Sequence, residues 1–257
     1  MAIILKGGSY TGGKYGAFQP PSISACTLWL DAADSNTITL NGSNVSQWND
    51  KSGNDNHLLQ GTADNQPTYD ATGWTGAKPT VSYNDAADYL STASAGFDVM
   101  DGGDVSVFLV EKLSLFNNKY MFSQFVTGES EATNLQFSFL GNTPRTAVSW
   151  EYGSGTNESI NFHSIAYNTN DTVIYTSRNT TDKVVSCIWD DGTPTVDLNR
   201  AYTNNATGGA DSFFNLGGLR GGQSSTFLVA EFIVYKKLVT EAERQIVNSY
   251  LKTKWGI

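Results

Sequence analysis

The sequence predicts an all-β domain of two packed antiparallel sheets with one short helix at its C-terminal end. Three observations carry this reading. Apolar residues alternate with polar ones along short runs, as in Asn134–Leu140, where Leu135, Phe137 and Phe139 face one way and Gln136 and Ser138 the other. Many such β-branched and aromatic runs follow one another with almost no helical periodicity between them. Only after Thr240 does the apolar spacing change to that of a helix.

Taken in order, residues 1–22 stand apart as an N-terminal arm, and residues 23–257 form the sandwich. In the arm, GGSYT and GGKYG run directly into AFQPPS, and paired glycines with the Pro20–Pro21 step disfavour regular structure. Tyr10, Tyr15 and Phe18 are unusually apolar for a linker. Two readings stay open: a disordered tail, or an arm that lays its aromatics on a neighbouring subunit. Within the domain, Val105–Lys112 and Thr226–Tyr235 are apolar on both faces and read as central strands. Thr172–Ser177 and Lys183–Trp189 are β-branched neighbours, the second followed by the hairpin signal Asp190-Asp191-Gly192. The helix opens on Thr240-Glu241-Ala242-Glu243, a capping box in which the Thr240 hydroxyl accepts from the Glu243 N–H while the Glu243 carboxylate reaches back. Ala242, Ile246, Val247, Tyr250 and Leu251 form its apolar stripe, Lys252 and Lys254 suit its last turn, and Gly256 suits its C-cap.

Composition narrows the functions. The chain has 257 residues, is 39% hydrophobic and 12% aromatic, and carries a formal net charge of −9. A chain of this size buries its own core without a metal or disulfide staple. Its acidity repels phosphate backbones, so nucleic acid is not an expected partner. No apolar run reaches membrane-spanning length, and no basic amphipathic helix suggests a membrane surface. Ala2–Leu5 is too short for a signal-peptide core, so the chain is expected to be made in a host cytoplasm. Cys26 and Cys187 each sit in an apolar run and read as two buried free thiols rather than a disulfide.

Three segments carry a resemblance: LWLDAADSNTI with VSQWNDKSGNDNH and QPTYD near the start, VVSCIWDDGTPTVDLN in the middle, and VAEFIVYKKLVTEAERQIVNSYLKTKWGI at the end. Over Ser24–Ile257 the chain resembles the concanavalin A-like lectin/glucanase superfamily in its laminin-G-like branch. That resemblance implies a concanavalin A-like jelly-roll β-sandwich of two antiparallel sheets with one short C-terminal helix. Trp29 and Trp48 are large enough to plug a sandwich edge, Asp50 and Ser52 are turn formers, and Gly53 supplies a positive φ. Domains of this branch occur in bacteriophage virion proteins and on bacterial surfaces.

Catalytic sets are sought and not found. The alternating Glu-x-Asp-x-Glu strand of the related glucanases is absent, and Glu129 and Glu131 lie in a Gly/Ser/Thr loop. His57 and His163 have no nucleophile elbow to serve, and LGGLRGG precedes a strand rather than a helix. The chain is therefore expected not to be an enzyme. No cofactor is expected except Ca2+, for which Asp50, Ser52, Asn54 and Asn56 alternate like the start of a calcium loop. The competing reading of that loop is a turn stapled by its own side chains. For a glycan, Tyr69, Trp74, Trp150 and Tyr152 are the candidate aromatic platforms, each set among polar loops, with core packing as the competing reading. The leading functional expectation is a non-catalytic virion structural protein of a bacteriophage, a capsid decoration or a head or tail appendage subunit. It would dock on other virion proteins through the arm and assemble as a homo-oligomer. The first alternative is a carbohydrate- or receptor-binding module for host surface glycans, and the last is a glycoside hydrolase.

Overall fold

The structure, a computed structural model of the chain, describes residues 4–5, 8–9, 18–84, 87–92, 103–115, 119–126, 135–140, 146–152, 158–165, 172–190, 196–201, 212–217 and 226–257. Side chains are described for 18–84, 87–92, 103–112, 121–123, 172–184, 186–188, 201, 213–217 and 226–257. The strands in chain order are β1 (Ile4–Leu5), β2 (Gly8–Ser9), β3 (Cys26–Asp31), β4 (Ile38–Asn41), β5 (Asn44–Trp48), β6 (Leu58–Leu59), β7 (Thr68–Trp74), β8 (Lys78–Tyr83), β9 (Tyr89–Thr92) and β10 (Val105–Leu115). They continue with β11 (Lys119–Val126), β12 (Leu135–Leu140), β13 (Thr146–Tyr152), β14 (Glu158–Ile165), β15 (Thr172–Asn179), β16 (Val184–Asp190), β17 (Val196–Ala201), β18 (Ser212–Gly217) and β19 (Thr226–Tyr235). The helix α1 spans Glu241–Trp255.

The period-2 runs become two sheets. One runs β17-β16-β15-β10-β19, and β19 then divides its free edge: Phe227–Val229 pairs with β8, which continues to β7, while Glu231–Tyr235 pairs with β3. The other runs β14-β13-β12-β11-β18-β9-β6-β5-β4. Every pairing among the described strands is antiparallel, and one bridge, Asn44 to Thr68, carries the hydrogen bonding from one sheet to the other. Between the sheets, Phe122 of β11 and Phe214 of β18 meet Phe232 of β19 at ring separations of 5.3 and 5.6 Å. Such offset and edge-on pairs add to the area that the rings remove from water.

A β-bulge in β19 sets up everything that follows. Val110 pairs with Glu231 and Glu111 with Val229, so Ala230 is the extra residue, and its carbonyl accepts from Ala32 N at 3.0 Å. A bulge re-aims the side chains on either side of it. Phe232 therefore points into the sandwich, while its neighbour Glu231 points to the outer face, where α1 lies. The helix is built as its sequence requires. Glu243 N donates to Thr240 Oγ1, Thr240 N donates to Glu243 Oε2, and Gly256 closes the C-terminus at φ 79°. Val247, Tyr250, Leu251 and Trp255 are buried against the sheet.

The chain ahead of β3 belongs to the same body. Phe18 is 2% exposed and packs edge-on against Tyr250, and Tyr235 donates its hydroxyl to Pro20 O at 3.1 Å. This corrects the expectation for Phe18: the ring is spent on its own domain and is not free to lie on a neighbour. Among the described residues, Phe18 and Pro20, ahead of residue 23, are packed with the domain. Tyr10 and Tyr15 lie outside the described residues. Cys26 and Cys187 are buried and outside any disulfide, and burial pushes Cys26 up to about 12.

Candidate functional site

The outer face of β3 and β19 presents a problem of like charges. Asp31 lies directly opposite Glu231 in the β3–β19 register, where two carboxylates repel across the ladder. The helix resolves it. Lys254 Nζ sits between them, 2.6 Å from Asp31 Oδ1 and 2.8 Å from Glu231 Oε2, and donates also to Tyr250 Oη at 3.2 Å. Glu231 is wholly buried and accepts four donors. Trp29 Nε1 and the Tyr250 hydroxyl donate to Oε1 at 2.7 and 2.9 Å, and Trp255 Nε1 and Lys254 donate to Oε2 at 2.7 and 2.8 Å. Burial pushes its pKa above the ordinary glutamate value, and the Lys254 charge pulls against that rise. With two oxygens receiving four donors, the geometry is that of an ionised carboxylate whose lone pairs are all used.

The charge network continues outward through the loop between β5 and β6. Lys51 Nζ lies 2.9 Å from both Asp31 Oδ2 and Asp34 Oδ2 and 4.3 Å from the centre of the Trp29 ring. Burial works against its charge, yet the bonds to Asp31 and Asp34 hold Lys51 above the ordinary lysine value. The bond from Lys51 correspondingly holds Asp34 below the ordinary aspartate range. The result is an ionic chain, Asp34–Lys51–Asp31–Lys254–Glu231, that runs from the surface into the core.

The loop that delivers Lys51 is fixed by Asp50. Its Oδ1 accepts from Trp29 N at 2.9 Å and Ser52 N at 2.8 Å, and its Oδ2 from Ser52 Oγ at 2.6 Å and Asn56 N at 3.1 Å. Asn54 and Asn56 donate their amides to the Cys26 and Thr27 carbonyls, His57 Nδ1 accepts from Asp50 N, and Gly53 turns at φ 91°. Of the two readings of Asp50, Ser52, Asn54 and Asn56, this is the turn stapled by its own side chains. The Asp50 oxygens are occupied by N–H and O–H donors, and both asparagines turn their amides inward. Among the described residues, no group of three or more His, Cys, Asp or Glu side chains is placed to hold a metal ion.

Above this lattice lies an open cleft of about 380 Å³. Trp29, Asp31 and Lys51 form one side of it, Tyr250, Thr253 and Lys254 the other, and Gln19 closes an end. Thr253 and Gln19 are exposed, whereas Trp29 and Tyr250 are 4% and 8% exposed.

The aromatic residues singled out as sugar platforms are elsewhere. Trp74 is 2% exposed, stacks edge-on against Trp255 and donates its Nε1 to Trp255 O at 3.0 Å. That is a core residue, and the platform expectation for it is corrected. Tyr69 is half-buried against the core with its hydroxyl on Ala32 O at 3.3 Å, and it lies away from the cleft lining. Trp150 and Tyr152 lie on β13, where Trp150 is in register with Phe137 and Ile160; their side chains are outside the described residues. The same holds for His163, and Glu129 and Glu131 lie outside entirely. Sequence reasoning missed Glu231 and Lys254. The signal was present: Glu231 is the one charge in the otherwise apolar run TFLVAEFIVY, and a lone charge inside a central strand demands a partner.

No protein-family model matches this chain, and no curated protein matches it. Solved structures do. Domain 4 of AbnA, a GH43 extracellular arabinanase from Geobacillus stearothermophilus solved in complex with arabinotriose, is 15% identical. It aligns over 85% of this chain and 95% of its own at a TM-score of 0.57. A Trypanosoma rangeli sialidase is 12% identical over 90% of this chain and 33% of its own, with a TM-score of 0.60. The receptor binding domain of botulinum neurotoxin D is 11% identical over 89% of this chain and 53% of its own, with a TM-score of 0.56. At such identities the likeness establishes architecture alone: the chain is a concanavalin A-like jelly-roll β-sandwich of two antiparallel sheets closed by one C-terminal helix.

Proposed function

We propose that this domain is a non-catalytic carbohydrate-binding module and that the cleft between β3, the Lys51 loop and α1 holds the saccharide. The observation that carries the reading is the cleft itself. Its polar groups are fixed in advance by the Asp34–Lys51–Asp31–Lys254–Glu231 chain, and two aromatic residues, Trp29 and Tyr250, line it. A sugar asks for this combination, because it presents apolar C–H surface bordered by hydroxyls, and a site that needs no reordering loses little entropy on binding. The fold adds support, since domain 4 of the arabinanase was solved with arabinotriose and the neurotoxin domain is a receptor binding domain.

Hydrolysis is disfavoured by the same geometry. A glycosidase needs two carboxyls within reach of the glycosidic bond. Glu231 is sealed beneath Trp29, Tyr250 and Trp255, and Asp31 is held between two lysines. The virion-subunit reading draws no support from these neighbours, and Phe18 is committed to the domain's own core.

Isothermal titration against a panel of oligosaccharides that includes arabinotriose tests the proposal. Saturable binding without release of reducing ends is the expected result. Failure of every member to bind would overturn the reading, and turnover lost in Asp31→Asn would replace it with a hydrolase.

A further inference from the structure

We infer that the cleft selects uncharged, hydroxyl-rich saccharides and discriminates against sugars bearing a carboxylate or sulfate. This rests on the carbohydrate reading above and specifies its ligand class. The argument is an inventory of donors and acceptors. All three N–H donors of Lys254 are directed at protein atoms, to Asp31 Oδ1, Glu231 Oε2 and Tyr250 Oη. Lys51 gives two to Asp31 and Asp34 and lies over the Trp29 ring. Each described cation lining the cleft therefore already faces two carboxylates before a ligand arrives, which offsets its attraction for an anion.

Acceptors, by contrast, are in surplus. A carboxylate offers about four lone-pair sites. Asp31 receives Ala33 N and Lys254 on Oδ1 but only Lys51 on Oδ2. Asp34, behind Lys51 and outside the cleft lining, receives Asn36 Nδ2 on Oδ1 and Lys51 on Oδ2, with the Asn36 backbone N–H also bonded to it. Three carboxylates share two ammonium groups in this lattice, in a chain whose formal net charge is already −9. What remains on offer to a ligand is the Asp31 carboxylate, with the exposed Gln19 amide and Thr253 hydroxyl beside it. Sugar hydroxyls donate to such acceptors. A sugar carboxylate or sulfate would set acceptor against acceptor, and a like-charge contact of that kind weakens association steeply.

The test is a glycan array in which each neutral oligosaccharide is paired with its sialylated or sulfated counterpart, probed with the wild-type domain and with Thr253→Trp. Thr253 is exposed on α1, so the variant is expected to keep the wild-type far-ultraviolet spectrum and melting temperature, while its indole fills the cleft. Neutral members should bind about tenfold or more tightly than their acidic counterparts, the discrimination expected of an uncompensated like charge. Thr253→Trp should abolish both, and Asp34→Lys should narrow the gap. Acidic members binding as well as or better than neutral ones would overturn the selectivity and leave the carbohydrate reading standing. Binding unchanged by Thr253→Trp would overturn the assignment to this cleft. A blank array would remove the carbohydrate reading itself, and the selectivity with it.

Discussion

Asp50 and Glu231 are both carboxylates that accept four donors, yet they are assembled in opposite ways. Around Asp50, three of the four donors are backbone N–H groups and the fourth is the hydroxyl of Ser52, so the loop largely wraps around its own residue. Around Glu231 all four donors are side chains, brought from β3 and from α1. The first arrangement satisfies a turn, and the second ties a helix to a sheet. A backbone donor stripped of its partner can turn to water at a loop surface. Two buried indoles and a phenol stripped of theirs cannot.

The contrast can be broken by experiment, with the greatest loss expected first. Glu231→Ala takes the acceptor from two buried indole N–H groups and the Tyr250 hydroxyl and leaves Lys254 with Asp31 as its one carboxylate, so urea unfolding should show a loss of about 3–5 kcal/mol. Asp50→Ala should cost about 2–3 kcal/mol, the value of hydrogen bonds to a charged acceptor, with faster amide exchange confined to Trp29, Ser52 and Asn56. Equal losses at the two sites would mean that the helix tie is no stronger than the loop staple. Thr240→Ala removes the helix cap and should cost about 1 kcal/mol in the same assay. The smallest effect is a pH dependence. Burial alone would raise Glu243, but its bonds to Lys237 and to Thr240 hold it below the ordinary value of 4.5. The stabilisation it gives is therefore complete above that value and lost as the pH falls through its depressed one. The stability gap between wild type and Glu243→Ala should be full at neutral pH and close on acidification. A gap that widens in acid would contradict the capping role.

These two carboxylates also mark what the sequence made legible. The Asp50 loop was readable because most of its donors lie within six residues, at spacings typical of Asp, Ser and Gly in turns. The helix was readable for the same reason, with Thr240 and Glu243 completing each other over a single turn. The alternation of Leu135, Phe137 and Phe139 located a strand, and β12 runs Leu135–Leu140. The cleft was not readable. It depends on Ala230 bulging from β19, which turns Glu231 outward, and on α1 crossing back to place Lys254 between Glu231 and Asp31, 23 residues from one and much farther from the other. Trp74 was misjudged on similar grounds. An indole in a polar stretch resembles a sugar platform until Trp255, 181 residues away, is found to supply its acceptor. Contacts between distant segments decide such cases, and period and propensity carry no information about them.

That long-range closure has a consequence for how the protein is made. β3 is an early strand, yet its partner β19 and three of the four donors to Glu231 come from the last thirty-odd residues of the sequence. During vectorial synthesis, Asp31 can meet Lys51 early, but β3 has no ladder to join until β19 has been made, and the Lys254 counter-charge comes later still. The Asp31–Lys254–Glu231 link therefore closes in one late step. A nascent chain stalled before α1 would carry all its described strands but only one side of its cleft.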